Sequence, residues 1–314
     1  MNANTADKTT TAQVVVRDLR KRYGDTRAVD GVSFTVHQGE VFGLLGPNGA
    51  GKTSTVEIIE GLRARDGGDV SVCGFDPATQ ADEVKQRLGV TLQATALPDK
   101  IQVREALTLF ASFYRQHADV DELLKLVTLE EKATNQFDQL SGGQQQRLAV
   151  ALALVNDPAV VILDEPTTGL DPQARRELHG VIAGLKARGK TVILTTHYIE
   201  EAERLCDRVA IVERGKIIAL DTPQQLIARS SGHSRIELRT AAAVELGQLR
   251  QLPFVESVSE TNGAYTLRSA AVARTLAELI KWLEAAGHEL LDLHVTRPTL
   301  EDVFIELTGR RIRE

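Results

Sequence analysis

Hydrophobic spacing divides this chain into two textures. From Val14 to about Ser230, short apolar or β-branched runs alternate with segments whose apolar residues recur every three or four positions. The runs include Val41 to Leu45, Val70-Ser71-Val72, Ala159 to Leu163, Thr191 to Thr195 and Val209 to Val212. Several are almost continuously apolar, as expected of parallel strands buried on both faces. The alternation predicts an α/β domain with a mainly parallel sheet. Two stretches depart from it. Val14 to Val36 reads as antiparallel strands forming a β-rich edge. Residues of about 94–156, densest in helical spacing from Arg104 onward, read as an inserted helical subdomain.

Beyond Ser230-Ser231-Gly232 the order of elements changes. Arg235 to Arg239 reads as a strand, with a helix near Ala243 to Leu252. A strand pair turns at Asn262-Gly263, the dipeptide of tight hairpins. A long helix carries Val272, Leu276, Leu279, Ile280 and Leu283 on one face, and another strand covers Leu290 to Val295. The last helix places Leu300, Val303, Phe304 and Leu307 together, with Thr299 and Asp302 as a capping box and Gly309 as its stop. The expected division is therefore a disordered N-terminus over 1–12, a large domain over 13–230 and a small α+β domain over 231–314. No phosphate, metal or nucleophile motif falls in the last of these.

Chemistry enters at Gly46-Pro47-Asn48-Gly49-Ala50-Gly51-Lys52-Thr53, directly after the run Val41 to Leu45. The spacing G-x-x-x-x-G-K-[ST] is that of a phosphate-binding loop. Its glycines let the backbone turn tightly and present a row of N–H donors to anionic oxygens. A helix opening near Gly51 adds its positive dipole end. Lys52 can reach the β- and γ-phosphates, and the Thr53 hydroxyl can ligate Mg²⁺. The candidate nucleotide-binding residues are thus Gly46, Asn48, Gly49, Ala50, Gly51, Lys52 and Thr53, with Ser54 next in the helix.

Bulk properties narrow the class of partner. The 314 residues carry a net charge of -6, with 42% hydrophobic and 25% charged residues. That composition suits a globular protein of two domains. The acidic balance gives no dominant basic face for nucleic acid. The longest apolar stretch, Leu148 to Val155, falls well short of the ~20 residues of a membrane span. Met1 to Ala12 has no apolar core and does not read as a signal peptide. Cys73 and Cys206 stand far apart in no ligand pattern, which suits a reducing compartment.

A second motif, Leu140-Ser141-Gly142-Gly143-Gln144, opens a helix running through Leu148, Leu152 and Val155. Ser141 and Gln144 have the spacing of a capping box, but two glycines are costly in a first turn unless something approaches the backbone. With the phosphate loop upstream, the chain resembles the ATP-binding-cassette (ABC) ATPases over about residues 14–225. LSGGQ is that family's signature.

The resemblance implies roles for further residues. Val160 to Leu163 is a buried strand ending in Asp164 and Glu165. Asp164, with Thr53 and Gln93, would hold Mg²⁺, and Glu165 would orient and deprotonate the attacking water. Gln93 matches the glutamine that links metal and water to the helical subdomain. His197, after Thr195-Thr196, matches the switch histidine at the γ-phosphate. Tyr23 matches the aromatic that stacks on adenine. Asp171, within Gly169-Leu170-Asp171-Pro172, matches the loop that follows the subunit interface. Ser141, Gly142, Gly143 and Gln144 would meet the nucleotide held by a second copy.

The fold so implied is a P-loop NTPase cassette with ATP and Mg²⁺ as cofactors. Two copies would pair head to tail, each ATP lying between Lys52 of one and Ser141 and Gly143 of the other. Hydrolysis would remove the contacts that close the pair. A membrane-spanning permease subunit would be the other partner, met through Leu97, Pro98 and the helix bearing Leu107, Phe110, Phe113 and Tyr114. The chain would then be cytoplasmic and peripheral on the inner face of the cell membrane, with no nucleic acid bound. Arg297-Pro298-Thr299-Leu300-Glu301-Asp302-Val303-Phe304 resembles the tail of multidrug-export subunits of the daunorubicin-resistance type. The alternative is a soluble, non-transport cassette ATPase. A DNA-associated form needs a long coiled coil between the two motifs, where only 88 residues separate Lys52 from Leu140. Ribosome-associated forms carry two cassettes and basic linkers, and this acidic chain has one.

Overall fold

Alternation of apolar and polar positions from Ala12 to His37 gives two long strands, β1 (Ala12–Tyr23) and β2 (Thr26–His37). They bury Val14, Val16, Val32, Phe34 and Val36 toward one face. The computed structural model describes residues 11–91, 97–230 and 234–311. Along the first unit follow β3 (Val41–Leu45), α1 (Lys52–Ile59), β4 (Gly67–Val72), α2 (Ala81–Lys85) and β5 (Leu88–Thr91). Then come α3 (Val103–Ala111), α4 (Val120–Leu126), α5 (Gly142–Ala153), β6 (Val160–Asp164), α6 (Pro172–Ala187) and β7 (Thr191–Thr196). The unit closes with α7 (Ile199–Leu205), β8 (Arg208–Glu213) and β9 (Lys216–Asp221).

The main sheet has the order β5-β6-β7-β3-β8-β9, parallel except for the last pair. Strands β3, β6 and β7 are buried along their whole length, which is why they are apolar without alternation. Register sets Leu45 beside Thr196 and Asp164 beside Thr195, so three carboxyl ends meet at one edge. Inside, Gly43 leaves room for the Cys206 thiol. A Cβ there would lie 2.7 Å from its sulfur. A second sheet, β2-β1-β4, is antiparallel. The run Val70 to Val72 is therefore a strand of the antiparallel edge, not of the parallel sheet. A β-branched run announces a strand without naming its neighbour.

By chain contacts the second unit begins at Gln224, ahead of the polar break at Ser230. Helix α8 (Pro223–Arg229) starts at that junction. Its helical spacing continues the texture of the preceding domain, so the sequence hides the break. The unit continues with β10 (Ser234–Thr240), α9 (Leu246–Leu249), β11 (Val255–Thr261), β12 (Ala264–Ser269), α10 (Val272–Ala286), β13 (Leu290–Thr296) and α11 (Leu300–Thr308). Its sheet is antiparallel, in the order β11-β12-β10-β13, a β-α-β-β-α-β arrangement. Ile236, Leu238, Leu267, Leu279 and Leu283 fill its core. Helix α9 is shorter than the spacing from Ala243 to Leu252 suggests. The Val244 N–H donates to the Tyr265 hydroxyl at 2.7 Å, which holds the chain out of helix there.

Candidate functional site

The site forms where β3, β6 and β7 end. After Leu45 the chain turns at Gly49 (φ 78°) and Gly51 (φ 103°), and Gly51 is the N-cap of α1. A left-handed cap with no side chain leaves the first N–H groups of the helix uncovered. The Lys52 ammonium donates to the carbonyls of Gly46 (2.7 Å) and Pro47 (3.2 Å) and lies 3.2 Å from Glu165 Oε1. Ala28, Asn48, Gly49, Gly51, Thr53 and Ser54 line a cavity of about 400 Å³ with Lys52 and Glu165. Ala50 is buried in the loop behind it.

Strand β6 delivers the two acids in different ways. Asp164 is buried, and its carboxylate accepts from the hydroxyls of Thr195 and, at 3.4 Å, Thr53. Burial raises its pKa, and the Glu165 charge adds to that, while Thr195, Lys52 and Thr53 oppose it. Glu165 has φ 45°, a left-handed backbone that non-glycine residues adopt at a cost. Its N–H donates to Thr195 Oγ1 at 2.9 Å. The turn points the carboxylate to both Lys52 and His197, whose Nδ1 is 3.2 Å from Glu165 Oε2. That approach is close enough for an ion pair but out of line for a hydrogen bond. Nδ1 is buried with no hydrogen-bond partner.

A cation and a helix N-terminus with uncovered amides around one cavity, with an orphaned buried ring nitrogen beside its Glu165, fit a phosphate chain. Thr53 and Asp164 offer neighbouring hard oxygens of the kind Mg²⁺ takes. Tyr23 stands at the same end. Its hydroxyl is 3.3 Å from Ser54 Oγ, the residue is 40% exposed, and Arg63 lies 5.2 Å from the ring centre. A flat, partly open ring beside the phosphate loop can receive a base.

The signature segment is elsewhere. Ser141 caps α5 by accepting from the Gln144 N–H (3.3 Å), and Gln144 returns the bond to the Ser141 N–H (2.9 Å). None of residues 141–144 lines the phosphate-loop cavity. Gly143 touches α6: a Cβ on it would be 2.5 Å from that of Ala174. Asp171 also lies off the cavity. It caps α6 by accepting from the N–H groups of Gln173 (2.8 Å) and Ala174 (3.0 Å), bonds that lower its pKa. Gln93 lies outside the described residues. Leu107, grouped by spacing with a partner-facing surface, is instead fully buried, whereas Phe113 is 67% exposed and Leu109 is exposed. Sequence reasoning passed over Ala28 and Thr195. Thr195 could have been found, as a polar residue ending an apolar strand beside Asp164.

Comparison with known proteins agrees with this geometry. Residues 29–168 match the family described as ABC transporter, and residues 225–308 match the C-terminal domain of DrrA1-3-like ATP-binding proteins. Nod factor export ATP-binding protein I of Burkholderia lata is 41% identical over 309 residues, covering 96% of this chain and 99% of that one. Daunorubicin resistance ATP-binding protein DrrA3 of Streptomyces coeruleorubidus is 38% identical, over 96% of this chain and 98% of its own. Among solved structures, an ATP-binding subunit of an ABC transporter superposes with a TM-score of 0.62 at 29% identity, covering 69% of this chain and 92% of that one. A dimeric post-hydrolysis cassette bound to ADP and Pi gives 0.58 at 26% identity, over 67% and 98%.

Proposed function

The chain belongs to the ABC transporter ATPase family, and from that premise we propose that it powers export through a separate membrane-spanning permease by closing and opening as a homodimer. It is an ATPase. No helix among the described residues is long and apolar enough to cross a membrane, so the path for cargo belongs to the partner. One observation carries the catalytic reading: Lys52 and Glu165 line one cavity, and Glu165 lies within 3.2 Å of both Lys52 and His197.

In this reading the Lys52 ammonium and the backbone N–H groups of Gly49, Gly51, Lys52 and Thr53 hold the phosphates. Thr53 and Asp164, with Gln93, hold Mg²⁺, which supplies charge neutralisation when bound. Glu165 aligns a water molecule and takes its proton. His197 turns its unpaired nitrogen to the γ-phosphate, and Tyr23 stacks on the base. Ser141, Gly142, Gly143 and Gln144, remote from their own chain's cavity, meet the nucleotide of the second copy, with Asp171 at the seam. The dimeric cassette among the structural relatives supports this pairing. The exposed Leu109 and Phe113 suit contact with a permease, which would hold the protein at the inner face of the membrane. The full-length likeness to export subunits favours this over a soluble, ribosome- or DNA-associated cassette.

Glu165→Gln tests the scheme. The amide keeps the shape but cannot take a proton. The variant is expected to bind ATP with Mg²⁺, fail to split it and accumulate as a dimer in size measurements. A variant that stays monomeric at saturating ATP contradicts the shared site.

A further inference from the structure

His197 leaves β7 between two residues that are themselves held. The Thr196 carbonyl accepts from the Gly46 N–H at 3.2 Å, which ties it to the phosphate loop. Its hydroxyl accepts from the Tyr198 N–H (2.9 Å) and donates to Glu201 Oε2 (2.8 Å). Glu201 is only 2% exposed, and its other oxygen lies 3.0 Å from His179 Nε2 on α6. A carboxylate can only accept, so His179 Nε2 donates in this bond. Arg175, one turn earlier on α6, sets its guanidinium 4.5 Å from the centre of the Tyr198 ring. That ring in turn lies 4.2 Å from His197, centre to centre. Helix α6 thus grips the segment around His197 twice, through side chains at i and i+4.

A buried carboxylate is a costly way to fill a core, because apolar groups would do so without desolvating a charge. What it adds is direction. Burial alone would raise the Glu201 pKa, but His179, Thr167 and Thr196 together outweigh burial and bring it below the ordinary value. The Thr167 hydroxyl acts here by proximity, since it makes no well-formed hydrogen bond. The charged cluster therefore stays intact at neutral pH.

We propose that Glu201, fixed by His179, is the positioning residue of His197, and that it ties the bearing of that ring to the helix beginning at Asp171. The proposal rests on the reading of the cavity as the ATP-hydrolysing site. With Glu201 in place, the Thr196 hydroxyl and the Tyr198 N–H are locked on either side of His197. Without it the ring keeps its chemistry and loses its aim.

The test is ATP turnover by the full-length chain. Glu201→Ala is expected to lower kcat by roughly tenfold or more, the scale of a misplaced catalytic group. The affinity for a fluorescent ATP analogue should stay within about twofold. Thr196→Val, which removes the bridging hydroxyl, should repeat the loss, and Thr196→Ser should restore the rate. In a His197→Ala background, Glu201→Ala should change the single-turnover rate by less than about twofold, because a residue acting through His197 has nothing left to act on. Equal losses in both backgrounds would overturn the proposal, as would wild-type kcat in Glu201→Ala. If Glu201→Ala does not fold, the Thr196 pair decides: full activity in Thr196→Val overturns it. A wild-type chain that neither binds nor splits ATP would remove the underlying reading, before any variant is compared.

Discussion

Glu60 ends α1 on the side away from the nucleotide, buried and close enough to Asp164 to feel its charge. Burial first, then Asp164 and Glu57, push its carboxyl from the ordinary 4.5 up to about 8. Between those two pH values the unfolded chain has given up the proton and the folded chain has kept it. Stability contributed by this group is therefore complete below about 4.5, declines as pH rises and is fully lost above about 8. Glu60→Gln copies the neutral form at every pH. Thermal melts of the nucleotide-free protein should show a gain from this substitution that grows between pH 5 and 8 and then levels off. It should reach roughly 2–5 kcal/mol, the size that a shift of this order implies. A gain independent of pH would mean that Glu60 is ionised in the folded protein and that its environment has been misjudged.

Among elements, the junction of α5 and α6 is a tight one that bears on function. Gly143 lies against Ala174 with no space for a Cβ, and Arg147 reaches Glu177 at 3.2 Å one turn further along. Gly143→Ala should push the helices apart and lower stability by about 1–3 kcal/mol, as overpacking does. ATP binding by the single chain should persist while ATP-driven dimerisation weakens. Ala174→Gly in the same chain should recover the melting temperature, and no recovery would place the strain elsewhere. The sequence made the phosphate loop and the capping boxes at Ser141 and Thr299 legible, because there chemistry depends on local spacing. The strand ends carrying Asp164, Glu165 and His197 were legible as the close of apolar runs, while the roles of those residues came only from the family resemblance. Thr195 and the His179–Glu201 pair were not, since their partners are distant in sequence and only the sheet register and the α6–α7 packing bring them together. Leu107 was misgrouped because an amphipathic spacing names a buried face without saying which neighbour covers it. The antiparallel pairing of Val70 to Val72 is likewise a tertiary fact.

At the scale of the molecule, each unit has its own buried core, one around Phe42, Leu44 and Ile162 and one around Leu238, Leu267 and Leu279. Every residue assigned to the nucleotide lies upstream of Gln224, where the second unit begins. A chain ending at Pro223 should bind a fluorescent ATP analogue as the full chain does, while assembling less well with a second copy or a permease. Loss of binding would show that the cassette depends on the second unit for its fold. The close fit of Cys206 over Gly43 has a further use. Burial holds its thiol well above the ordinary range, and burial also raises that of Cys73, the one other cysteine. In a Cys73→Ser chain, a thiol reagent reaches Cys206 freely only when the end of α7 lifts from β3. If that opening is fast and reversible, nucleotide at roughly a hundred times its Kd should slow labelling about a hundredfold. One sulfur atom then becomes a clock for the cassette, counting how often the packing over the strand that leads into the phosphate loop opens and how far ATP keeps it closed.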